Sequence, residues 1–219
     1  MSAPTNAPLS TSERAELLIL QAVRLTGVAD EGAVLDRALL GEHQVREVLE
    51  QAAADGLVEQ FRLADVGGWV LTESGSVQVA RLLSQEVQAA DARAVLSAAL
   101  ERFEQINGPF VERVAQWQLQ STLATTTGFG GADDAAVGAL LADLTQSGDD
   151  LRSALADLVV ALPRFGRYPF QFSAALDRAR GEGLRWVTGV GLLSCHAVWA
   201  EVHQDLLSSL GLARGRTAG

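Results

Sequence analysis

The sequence predicts a mainly α protein: an N-terminal winged helix-turn-helix of three helices plus a β-hairpin wing, followed by an α-helical bundle domain. Three observations carry this reading. Short N-terminal blocks repeat apolar residues at helical spacing between turn residues; residues 57–71 read as two strands around a turn; and beyond Thr72 the apolar residues fall mostly three and four apart.

Taken in order, Ser12 or Thr11 caps a first helix whose apolar positions Leu17, Leu18, Leu20, Ala22 and Val23 run to Gly27. Asp30 caps a second, with Val34, Leu35, Ala38 and Leu39 on one face and Gly41 closing it. Val45, Val48, Leu49 and Ala52 define a third, stopped by Asp55-Gly56. Two short helices across a tight glycine-containing turn are helix-turn-helix geometry. Leu57 to Leu63 is strand-like, Asp65-Val66-Gly67-Gly68 supplies the turn, and Trp69-Val70-Leu71 returns, forming the wing. Thr72 then caps a long helix through Val77, Val79, Leu82 and Leu83, continuing to Phe103 or Ile106.

Further along, Asn107-Gly108-Pro109 is expected to break the helical face, and Phe110, Val114, Trp117 and Gln118 to start another. Ser121 to Asp133, rich in Thr and Gly, is the expected mobile loop. Asp133 or Asp134 caps a helical region from Leu140 to Val159, interrupted at Ser147-Gly148; Pro163 to Pro169 forms a turn; Phe170 to Arg180 and Gly191 to Leu210 are the last helices. The expected organisation is a flexible N-terminus over 1–11, a winged helix-turn-helix domain over 12–83, a helical domain for dimerisation and ligand sensing over 84–212, and a flexible tail over 213–219.

Composition narrows the function. The 219 residues contain 17 basic residues, all arginine, against 27 acidic ones, for a net charge of −10. That balance opposes DNA binding unless arginines are placed locally, because phosphate neutralisation supplies most non-specific affinity. The single cysteine, Cys195, excludes an intrachain disulfide and reads as a small buried hydrophobe. No apolar run approaches the roughly 18 residues of a membrane span, and a cytoplasmic location is expected. The sequence holds no phosphate loop, dinucleotide fingerprint or nucleophile elbow, so the expectation is not an enzyme: no catalytic residues, no cofactor and no metal. His196, Trp199 and His203 share a face of the last helix, but the two histidines are about 10 Å apart along its axis, too far to ligate one metal together.

Two groups of candidate binding residues emerge. At the start of the third helix His43, Gln44 and Arg46 are placed to meet base edges or phosphates, among Glu42, Glu47 and Glu50; Arg37 and, in the wing, Arg62 are placed to hold phosphates. In the helical domain Trp117, His196, Trp199 and His203 are candidates to line a ligand pocket, with Arg164 and Arg167, from an arginine-rich stretch, to receive a small anionic metabolite.

Ala54-Asp55-Gly56-Leu57-Val58-Glu59, followed by Trp69-Val70-Leu71-Thr72-Glu73-Ser74-Gly75, resembles MarR-type and PadR-type regulators, over about 70 residues. In those families the third helix ends in a Gly-Leu-Val step, a β-wing follows, and the next helix starts with Leu-Thr-x-x-Gly. Cys195 to Leu207 and Gln116-Trp117-Gln118-Leu119 are similar to C-terminal regions of actinobacterial MarR-like proteins. The resemblance implies a homodimeric transcriptional regulator that binds double-stranded DNA, with the third helix in the major groove and the wing on the backbone. The alternative is a winged-helix protein-interaction module that does not bind DNA.

Overall fold

The computed structural model describes residues 7–64, 66–127 and 134–212, with side chains placed up to 119 and again from 134. It is mainly helical, with one small antiparallel sheet. Helices α1 (Thr11–Thr26), α2 (Glu31–Ala38) and α3 (Glu42–Ala54) precede strands β1 (Val58–Leu63) and β2 (Val66–Leu71). Then come α4 (Glu73–Ala89), α5 (Arg93–Thr127), α6 (Asp134–Ala161), a 3-10 turn at Pro163–Gly166, α7 (Arg167–Glu182), the short α8 (Arg185–Thr188) and α9 (Cys195–Ser209).

Local chemistry sets most boundaries, at several places not where the sequence suggests. The cap of α1 is Ser10, not Thr11 or Ser12, because Glu13 sits three residues on. The Ser10 hydroxyl accepts the Glu13 N–H and the Glu13 carboxylate accepts the Ser10 N–H at 2.9 Å, a reciprocal capping box. Asp30 caps α2 as expected. That helix closes at Leu39, which adopts the left-handed conformation at φ +54°, while Gly41 becomes the extended N-cap of α3. The hairpin pairs Leu63 with Val66, so the chain reverses before Val66 and ahead of the glycines. Gly67 and Gly68 lie inside β2, and a Cβ on Gly68 would sit 2.6 Å from the Ala29 carbonyl, where the Ala29 and Trp69 backbones exchange two hydrogen bonds.

The long helix expected from Thr72 is two helices. After α4, Asp91 takes φ +49°, the Ala92 N–H bonds the Val87 carbonyl and the Asp91 N–H that of Gln88, a Schellman stop with Val87 and Ala92 buried. Conversely, α5 runs through Asn107-Gly108-Pro109 unbroken. An interior proline costs about 3 kcal/mol; Phe103, Phe110 and Val114, all buried, flank it and offset that cost by anchoring both sides. Helix α6 is also continuous across Ser147-Gly148, where the missing side chain makes room for the Phe172 ring; a Cβ there would be 3.1 Å from it. The expected loop over 121–133 belongs to α5 as far as Thr127, and the rest lies outside the described residues.

Buried apolar residues gather in two clusters. One comes from α1 to α4 and β1, with Leu17, Ile19, Leu20, Val45, Leu49, Val79 and Leu82 at its centre. The other comes from α5 to α9 with Val87 from the end of α4, around Phe103, Phe110, Leu155, Tyr168, Phe172 and Trp199. Cys195 is fully enclosed in the second, and burial pushes its thiol up to about 12, so it is an inert hydrophobe. Among the described residues no helix is long and apolar enough to cross a membrane.

Candidate functional site

Helix α3 buries only one stripe, Val45, Leu49 and Ala52. Its other faces carry Glu42, His43, Gln44, Arg46, Glu47, Glu50 and Gln51, all exposed. Arg46 is held between Glu31 at 2.8 Å and Glu42 at 2.9 Å, and hydrogen bonds to these two carboxylates raise its pKa. His43 stands 3.8 Å from Glu47. Gln44 lines a groove of about 740 Å3 between the start of α1 and the flank of α3, whose charged lining residues, Glu16, Glu47 and Asp55, are all acidic. Arg62 is exposed on β1 and has no ion pair among the described residues. Residues 7–92 hold fourteen acidic and six basic side chains, so this surface is negative. Arg37 lies apart from these residues: it is buried, with its guanidinium 2.7 Å from Glu201 of α9, where it cannot reach a phosphate.

That pair belongs to a polar seam between the two apolar clusters. At its centre Asp205 of α9 is fully buried and accepts five hydrogen bonds. Gln21 of α1 donates to Oδ1 at 3.0 Å and Ser209 at 3.2 Å; on Oδ2, Arg164 donates at 2.6 Å, Arg167 at 3.1 Å and the Tyr168 hydroxyl at 2.5 Å. Burial opposes the Asp205 charge, but Arg164 and Arg167 outweigh it and hold the carboxyl at about 2. Arg164 also reaches Glu86 of α4 at 2.6 Å, and its own pKa is raised because these two carboxylates overcome its desolvation. Glu201 behaves differently. Its burial outweighs Arg37, and its pKa is raised. Arg24 of α1 bonds Ser208, and Gln171 of α7 donates to the Asp36 carbonyl, closing the seam at both ends.

A carboxylate enclosed and saturated in this way has no lone pair for a substrate. The seam is a joint, not a reaction centre.

The six candidate ligand residues are not brought together. Trp199 stacks on Phe110 at 3.9 Å between centroids and donates to Asn107 at 3.0 Å, and Trp117 is buried in the same core. His203 pairs with Glu104 at 2.6 Å, while His196 is exposed on the lip of a cavity of about 370 Å3 that also touches Arg37 and Glu201. Arg164 and Arg167 border a separate cavity of about 500 Å3 between α1, the end of α2, the end of α4 and the turn after α6.

Sequence reasoning missed Asp205, Glu201, Glu86, Gln21 and Tyr168. The available signal was the placement of Glu201 and Asp205 on the same stripe of α9 as buried Val198, Val202 and Leu206, where an acid must have a buried partner.

The chain matches no protein-family model, no curated protein and no solved structure.

Proposed function

We propose that this chain is a DNA-binding transcriptional regulator of the winged helix-turn-helix type, cytoplasmic and acting as a homodimer, with a small anionic metabolite as effector. The observation that carries the reading is the layout of α2, the three-residue turn Leu39–Gly41, α3 and the β1–β2 hairpin. Helix α3 packs one stripe inward and leaves its long polar face uncovered beside the hairpin. In that layout α3 enters the major groove, where Gln44 and Arg46 face base edges and His43 the backbone, and Arg62 on the hairpin holds a phosphate. Exposed Val111 and Leu119 on α5 supply apolar surface for a two-fold contact.

The acidic surface favours a second reading, a winged-helix module that docks a protein and leaves DNA alone. Fourteen acids against six arginines in residues 7–92 repel phosphate, and Arg46 is already paired twice. The two readings part on charge removal. Replacing Glu31 and Glu42 by Gln releases Arg46 and removes two negative charges, so a DNA-reading α3 gains affinity several-fold at low salt, whereas Arg62→Ala weakens binding to all sequences alike and lowers the salt slope by about 1. Fluorescence anisotropy over a salt series measures both. A chain whose weak DNA association is unmoved by either change does not read DNA through this face.

A further inference from the structure

The cavity of about 500 Å3 has the makeup of a small-molecule site. Its walls are apolar, with Leu17 and Leu18 from α1, Leu39 from the end of α2 and Leu162 after α6. Four charged side chains face it: Arg14, Glu86, Arg164 and Arg167. Three of these are spoken for, because Arg164 bridges Glu86 and Asp205 and Arg167 binds Asp205 and Tyr168. Arg14 is different: it is exposed and has no ion pair among the described residues, so the cavity carries one uncompensated positive charge at an apolar wall.

Leu39 adds a second observation. It holds a left-handed backbone, at φ +54°, that a leucine rarely adopts, and it is half exposed at the cavity although it is a large hydrophobe. The left-handed cap turns its side chain out at the end of α2, and exposed apolar surface of this kind is what a ligand contact covers.

We propose that this cavity binds an apolar-tailed monocarboxylate, with the tail against Leu17, Leu18, Leu39 and Leu162 and the carboxylate on Arg14. The inference gives a site and a chemical class to the effector in the functional reading above; it does not depend on whether α3 reads DNA. A cation is excluded by the charge of the cavity. A dianion is disfavoured because Glu86 stands opposite any second negative charge that reached Arg164.

Titration calorimetry on the full chain, without DNA, tests it with three probes of one tail length: decanoate, decanol and decyltrimethylammonium, each below its micellar concentration. Decanoate is expected to bind at one site per chain, about tenfold more tightly than decanol, and the ammonium not to bind. Arg14→Ala, a surface change that leaves the core intact, should erase the advantage of decanoate over decanol. Ala89→Trp, which fills the cavity, should abolish binding of both, with the helical circular dichroism unchanged. Failure of decanoate to bind, equal binding of decanoate and the ammonium, or an Arg14→Ala protein that still prefers decanoate would each overturn the proposal. Decanoate binding as expected, beside an anisotropy series that shows no DNA reading by α3, would reject the DNA reading alone.

Discussion

Asp205 is the residue on which the joint between the two apolar clusters turns. Its five donors come from α1, the 3-10 turn, α7 and α9 itself, so its charge compensates two buried guanidiniums at once. Asp205→Asn keeps the shape but strands Arg164 and Arg167 with one carboxylate between them, Glu86. Urea unfolding at pH 7 should show a loss of about 3 to 5 kcal/mol, and a loss under about 1 kcal/mol would mean the cluster is not coupled to folding. The Asp205 carboxyl also makes stability depend on pH. The folded pKa, about 2, lies below the ordinary 3.8, so the stabilisation is complete above about pH 4 and is lost as pH falls toward 2; it amounts to about 2 kcal/mol. Glu201 works the opposite way, since its raised pKa makes its ionisation costly. Arg37→Ala removes the hydrogen-bonded cationic partner of that carboxylate, and Glu201 escapes by taking up a proton. The variant should therefore be destabilised by about 3 kcal/mol near pH 8 and by less near pH 5, with no change in salt-dependent DNA association. A pH-independent loss, or a flattened salt slope, would return Arg37 to the surface.

Among the elements, the join between the hairpin and α4 is the least tolerant. Thr72 caps α4 through the Gly75 N–H and also donates to the Gly56 carbonyl, while Gly75 lies so close to the Leu57 carbonyl that an added Cβ would meet it at 1.9 Å. Gly75→Ala should push α4 off the hairpin and cost about 1 to 3 kcal/mol, seen as a drop in Tm without loss of helical content in the remaining chain. An unchanged Tm would mean that this contact is not tight. The same region shows what a sequence can and cannot reveal at this scale. Helix-forming periodicity and the caps Asp30 and Thr72 are visible because the residues that make them are neighbours. The Schellman stop at Asp91 is hidden, since aspartate tolerates the left-handed conformation without advertising it as glycine does. Pro109 and Gly148 mislead in the other direction. Each is a helix breaker locally, and each is overruled by aromatic packing from distant helices, Phe110 on Trp199 and Phe172 over Gly148.

Across the whole molecule ionic and hydrogen-bonded contacts tie the two apolar clusters together. Gln21 and Asp205 are 184 residues apart and Arg37 and Glu201 164 apart, separations at which no spacing rule operates. For that reason the arginines at 37, 164 and 167, which composition marks as candidates for anions, prove to be internal partners. Of the arginines expected to meet an anion, Arg46 and Arg62 stay exposed. A polar joint demands one relative orientation, because its hydrogen bonds are directional and costly to leave unmade. The cavity beside it, lined by the end of α2 and by Arg164, is placed where a bound molecule would bias that orientation and with it α3. Such coupling has consequences only if α3 engages DNA. The most direct measurement is therefore selection of genomic DNA fragments by the purified full-length protein at low salt, followed by sequencing. Enrichment of a two-fold symmetric site with half-sites about ten base pairs apart, lost on Arg46→Ala, is the expected result if α3 reads DNA. Recovery of fragments with no common sequence, or the same fragments with Arg46→Ala, would contradict it.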